Sequence, residues 1–171
     1  MCIRDRITLG SNSRMSSTTP TFANWQDLFI VARWDGGATF NSYDGLFTGT
    51  SNSDEEIGII GNSGTTSLYT TNWFDNFYLN GSSSGISEVL ATMSSPFLVS
   101  ASSNSKLSIT GYNIGIDRAF YTSGRDWNGV IAEVVSFDNQ LPTYKRQKVE
   151  AYLAHKWGLS DSLPSLSLIH I

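Results

Sequence analysis

Along most of this chain apolar residues come in short runs, each closed by Gly, Asn, Asp, Ser or Thr. "DLFIVARW" (27–34), "EIGIIG" (56–61), "SLYT" (67–70), "WFDNFYLN" (73–80), "ISEVLA" (86–91), "PFLVSAS" (96–102) and "KLSITGYNIG" (106–115) are short, rich in β-branched and aromatic residues, and partly alternating. That pattern predicts strands. "NGVIAEVVSFD" (128–138) is the longest and best of them. Asp35-Gly36-Gly37, Asp44-Gly45 and Asn80-Gly81 mark turns. Asn-Gly between apolar runs is a hairpin cue, because both residues tolerate positive φ. No strand–helix–strand alternation appears, so the expected class is all-β, an antiparallel sandwich or barrel.

One segment has a different period. In "LPTYKRQKVEAYLAHKWGL" (141–159), Val149, Tyr152, Leu153 and Trp157 recur at three- and four-residue steps and predict one helix with one apolar stripe. Pro142 suits its start, Gly158 its C-cap, and Lys156 the negative end of its dipole. Residues 160–165 read as a linker stub.

Composition fits this picture. With 171 residues there is room for one domain. A 12% share of aromatic residues, five Trp among them, excludes a disordered chain. The two ends are out of character, however. Read back into codons, residues 166–171 ("LSLIHI") are the reverse complement of residues 1–6 ("MCIRDR"), and the shared string is a transposon end used in tagmentation sequencing libraries. Both hexapeptides are therefore expected to be sequencing-adapter artefact and are set apart from the fold. The only cysteine, Cys2, goes with them, so neither disulfide framework nor redox compartment is legible. Residues 7–20 read as a partial first strand or linker, and 21–159 as the domain.

Setting aside Arg4, Asp5 and Arg6 leaves nine basic and fourteen acidic side chains, a net charge of −5. An acidic chain with scattered Lys and Arg lacks a nucleic-acid footprint. Its one basic cluster, "YKRQK" (144–148), reads as a solvated helix face. No apolar run reaches membrane-spanning length.

"WNGVIAEVVSFDNQLPTYKRQKVEAYLAHKWGL" (127–159) resembles the closing segment of LamG-like (laminin G-like) members of the concanavalin A-like lectin/glucanase superfamily. Gly129, Ile131, Ala132, Glu133 and Val134 fit its G-x-I-A-E-V strand. Asp138 and Leu141 fit the turn, and Tyr152, Leu153, Ala154, Lys156, Trp157, Gly158 and Leu159 the helix end. The likeness is strong over these residues and softer upstream. It implies an antiparallel two-sheet jelly roll with a concave face, rim loops and one C-terminal helix. It also implies that opening strands are missing, which would leave a sheet edge unpaired and prone to association.

Candidate chemistry narrows the function classes. Glucanases of that superfamily carry spaced carboxylates on one strand, about 5–5.5 Å apart in a retaining enzyme. Here Asp54 and Glu56 have no third partner and read as solvated loop acids, and Glu133 as a structural ion pair or hydrogen-bonded carboxylate. No enzyme is expected. His155 reads as a helix-surface or packing residue, and a lone native histidine without cysteine makes no usual zinc site. Calcium stays open, because "WDGG", "NSYDG" and "WFDN" offer loop oxygens, with turn formation as the alternative. Carbohydrate binding fits best: planar rings cover sugar faces while short polar side chains meet the hydroxyls. Trp34, Asp35, Tyr43, Asp44, Trp73, Asp75 and Asn76 are the candidates. The alternative for both Trp residues is the core, where Trp127 and Trp157 are assigned outright. Asn80-Gly81-Ser82 is a glycosylation sequon by rule, but the hairpin already accounts for it.

The expected function is a non-catalytic module recognising a glycan or cell surface, within a larger secreted, cell-surface or virion protein. Its rivals are a structural or adhesive module of a phage tail or particle, and an accessory or catalytic domain of a polysaccharide-degrading enzyme.

Overall fold

A computed structural model describes residues 7–9, 14–17, 23–51, 53, 57–70, 73–84, 87–89, 94–109, 111–119 and 124–164. The two terminal hexapeptides and the acids Asp54 and Glu56 lie outside these residues. The strands are β1 (Ile7–Leu9), β2 (Met15–Ser17), β3 (Ala23–Trp34), β4 (Gly45–Gly49), β5 (Ile59–Gly61), β6 (Ser67–Thr70), β7 (Asn76–Leu79), β8 (Ser82–Ser84), β9 (Ser87–Val89), β10 (Phe97–Ser108), β11 (Tyr112–Ile114) and β12 (Gly129–Phe137). They are followed by helix α1 (Thr143–Trp157) and a 3-10 turn at Ser160–Ser162. Sheet A has the order β1-β12-β3-β10-β7-β8, and sheet B the order β2-β11-β4-β5-β6-β9. All strand pairs are antiparallel. The expected two-sheet β-sandwich with one C-terminal helix is what the chain forms.

Strand β3 shows why its sequence reads as one long apolar run. Leu28, Ile30, Ala32 and Trp34 point between the sheets, where they meet Leu46, Ile59 and Leu68 of sheet B. The alternate residues Phe29 and Val31 point to the outer face and pack against Ala151, Leu153 and Ala154 of α1. Between Leu28 and Val31 the strand is covered on both faces and has no wet side on which polar residues are favoured. Each enclosed Leu, Ile, Val or Phe contributes roughly 1.5–3 kcal/mol.

Local signals map onto turns as the residues dictate. Asn80 (φ 49°) and Gly81 (φ 76°) make the β7–β8 hairpin turn, and Asn80 Oδ1 accepts the Leu98 N–H at 2.9 Å. Gly158 closes α1 in the left-handed region (φ 75°). The two strands expected at 96–102 and 106–115 are drawn differently: β10 runs through both to Ser108, and Tyr112–Ile114 is a separate strand in the other sheet. Residues 7–20 supply β1 beside β12 and β2 beside β11. In the stretch expected as a linker stub, Leu163 is buried in the helix-side core.

The helix docks through three of the four residues of its predicted stripe, Val149, Leu153 and Trp157, but the face is rotated so that Tyr152 is left out. Tyr152 is 58% exposed, whereas Arg146 and Glu150 are buried with Ala151, Leu153 and Ala154. Arg146 is thus not part of a solvated basic face. It pairs with Glu150 across one helical turn, and its guanidinium lies 3.6 Å from the Tyr78 ring centre. Ser100 of β10 donates to the same Glu150 Oε1. Asp27 of β3, also buried, accepts the Leu141 N–H at 2.6 Å. Burial pushes the carboxyls of Asp27 and Glu150 up, against the pull of those hydrogen bonds and of Arg146.

Candidate functional site

The seven residues expected to form one binding site fall at two ends of the sandwich. Trp34 closes β3, and the 35–44 loop follows it. Asn76 opposes Ser102, and Ser102 opposes Asp27, so Asp75 and Asn76 sit at the other end of β3. Seven strand steps from Asp27 to Trp34 span about 23 Å at roughly 3.3 Å each.

Both tryptophans proposed as sugar platforms belong to the core, and this is a correction. Trp34 is 0% exposed, packed edge-on to Trp127 at 5.2 Å and against Phe40 at 5.0 Å. The Asp35-Gly36-Gly37 loop folds over it so closely that a Cβ on Gly36 would lie 2.3 Å from the ring. Trp73, 5% exposed, packs against Trp25 at 5.7 Å. An enclosed ring cannot stack on a ligand. Asp44 is buried as well, accepting the Ser42 N–H at 3.1 Å. Burial pushes its carboxyl up to about 6, and the neighbouring Asp126 charge adds to the rise. At the far end, Asp75 accepts the Asn104 N–H at 2.7 Å, and Asn76 donates to Ser102 Oγ at 3.3 Å. These are turn and strand duties.

What remains exposed near Trp34 is Asp35 and Tyr43. Segment 125–128 ties the two together: Asp35 N–H donates to Asn128 O at 2.8 Å and Gly45 N–H to Arg125 O at 3.0 Å. The Tyr43 ring is 40% exposed, with the Arg125 guanidinium 5.1 Å from its centre. Arg125 is itself anchored by the buried Asp117 carboxylate at 2.8 Å, which Arg118 also clasps. A loop aromatic is thereby held in place from below by the Arg125–Asp117–Arg118 ion network, which no sequence motif announces.

From this end a groove of about 330 Å³ runs along the outer face of sheet A, lined by Val31, Arg33, Pro96, Val130, Ala132 and Trp157. Its origin is a bulge in β12. Ile131 opposes Ala32 but Glu133 opposes Val31, so Ala132 is an extra residue. A bulge re-aims the side chains beside it. Ile131 faces the inter-sheet core while Glu133 turns to the helix, accepting from Trp157 Nε1 at 2.7 Å and from Lys156 Nζ at 2.9 Å. That hydrogen bond raises the Lys156 pKa. Glu133 therefore has the structural ion pair expected of it. Arg33 grips Asp35 with two bonds of 2.8 Å at the groove's other end, and this hydrogen bonding raises the Arg33 pKa.

Trp127 is enclosed as expected, but Trp157 is only partly buried and lines the groove. Trp157→Ala is accordingly expected to cost about 2 kcal/mol in urea denaturation, against the roughly 3–5 kcal/mol of a fully enclosed ring. His155 is exposed on the helix. Among the described residues no group of three or more His, Cys, Asp or Glu is placed to hold a metal ion, and no helix is long and apolar enough to cross a membrane. No family model, curated protein or solved structure matches the chain.

Proposed function

We propose that this domain is a non-catalytic recognition module that binds carbohydrate reversibly at the Tyr43–Asp35 end of the sandwich. The supporting observation is Tyr43: a planar ring 40% exposed in a loop, with Arg125 held beneath it. Such a ring covers the apolar face of a sugar with little loss of side-chain freedom. Asp35, exposed and fixed by Arg33, offers carboxylate oxygens to hydroxyls. The resemblance of residues 127–159 to LamG-like modules points the same way, to a domain carried in a larger secreted, cell-surface or virion protein.

A polysaccharide array followed by calorimetry tests this reading. Saturable binding should be lost in Tyr43→Ala and kept in Asp75→Ala, whose site lies at the opposite end. Silence across the array, or equal loss in both variants, would reject it and favour adhesion to protein.

A further inference from the structure

We propose that the groove beside Trp157 holds a neutral saccharide ring, so that the site extends from the Tyr43 loop onto the outer face of sheet A. The proposal rests on the carbohydrate reading above and adds to it a location and a ligand class.

The groove has the size of a small-ligand site. Its volume of about 330 Å³ falls in the range of roughly 300–1,000 Å³ usual for such pockets. Val31, Val130 and Ala132 supply apolar surface, with Pro96 and the partly exposed Trp157 beside them. The indole is fixed by its bond to Glu133, which the β12 bulge directs toward it. A ring already held loses little freedom when a ligand packs on it.

Charge then selects the ligand. Arg33 is matched by Asp35 at one end of the groove. Beside Trp157, Glu133 is matched by Lys156. An anionic sugar would meet cations already neutralised by Asp35 and Glu133, whose carboxylates would repel it. A fully apolar occupant would strip water from Arg33 in the groove wall and give nothing back. Hydroxyl groups avoid both costs. They accept from the remaining N–H groups of Arg33, which lines the groove, and leave its ion pair with Asp35 intact. An apolar platform fringed by closed ion pairs is complementary to an uncharged ring with many hydroxyls.

Calorimetry on the full chain with neutral oligosaccharides (β-glucan, mannan, galactan, xylan) and with uronate oligosaccharides provides the test. At least one neutral oligosaccharide should bind, with an affinity changing less than about twofold between about 0.05 and 0.5 M salt, where exposed ion pairing is screened. Ala132→Phe, which fills the groove, should weaken it by about tenfold with an unchanged melting curve. If that variant misfolds, Pro96→Phe on the exposed wall blocks the same space with the same expected result. Preferential, salt-sensitive binding of uronates would overturn the ligand class. Unaltered affinity in the filled variants, with loss in Tyr43→Ala, would overturn the groove while leaving the recognition reading standing. Absence of binding by either class would remove both.

Discussion

Arg146→Ala should destabilise the domain by about 3–5 kcal/mol, whereas Arg146→Met combined with Glu150→Leu should recover part of that loss. Arg146 is 8% exposed and Glu150 0%, locked between α1 and sheet A. Glu150 Oε1 takes bonds from both Arg146 and Ser100, while its Oε2 and Asp27 Oδ1 have no hydrogen-bond partner among the described residues. One buried cation thus serves two buried carboxyls. Removing it strands both, and the cost is the desolvation of an unmatched charge rather than the worth of one contact. Removing both members of the pair and replacing them with apolar groups of similar volume leaves no such charge at Glu150, while Asp27 still loses its cation and Ser100 its acceptor, so the recovery is partial. Urea denaturation of the single and double variants checks the sign of the difference. A loss below about 1 kcal/mol in Arg146→Ala would mean that water reaches the guanidinium.

That pair also marks how far the sequence could be read. The existence of α1, its Gly158 cap and its docking on a sandwich follow from period and end signals. The docking face follows only in part, through Val149, Leu153 and Trp157. Hydropathy places Tyr152 inward and Arg146 outward, and the structure does the reverse. The face actually used is 146, 150, 153, 154 and 157, at three- and four-residue steps like the expected stripe, but with an ion pair on it. A clue was present on the partner strands. Asp27 and Ser100 are polar residues in otherwise apolar runs, and each sits on the face turned to the helix. Single-segment periodicity cannot see this, because the cost of burying Arg146 is offset by residues distant in sequence.

The candidate site was legible in kind rather than in place. Asp35 and Tyr43 are exposed loop residues as expected. Trp34 and Trp73 flank turns in the sequence, but Trp34 ends an inward-facing alternation that starts at Leu28, so its ring continues into the core. The groove was not legible, since it depends on one extra residue in β12. Counting by twos from Ile131 to Glu133 puts both on one face, and the bulge separates them.

The stability of this domain is expected to rise when pH is lowered from about 7 to about 4.5. Asp44 carries the largest part of the effect: buried beside Asp126, it has a carboxyl pushed up from 3.8 to about 6. Between those two values the folded chain holds a proton that the unfolded chain has released. Stability from this group is therefore full below the unfolded value and is lost as pH rises through about 6. The rise from 3.8 to about 6 corresponds to about 3 kcal/mol. The carboxyls of Asp27 and Glu150 are raised by the same cause and act in the same direction. Asp44→Asn keeps an acceptor for the Ser42 N–H but cannot ionise. At pH 7 it should be more stable than the parent by up to about 3 kcal/mol, and near pH 4 the two should converge. Thermal melts of both proteins across this range decide the matter. Parallel curves would place the titration on other groups.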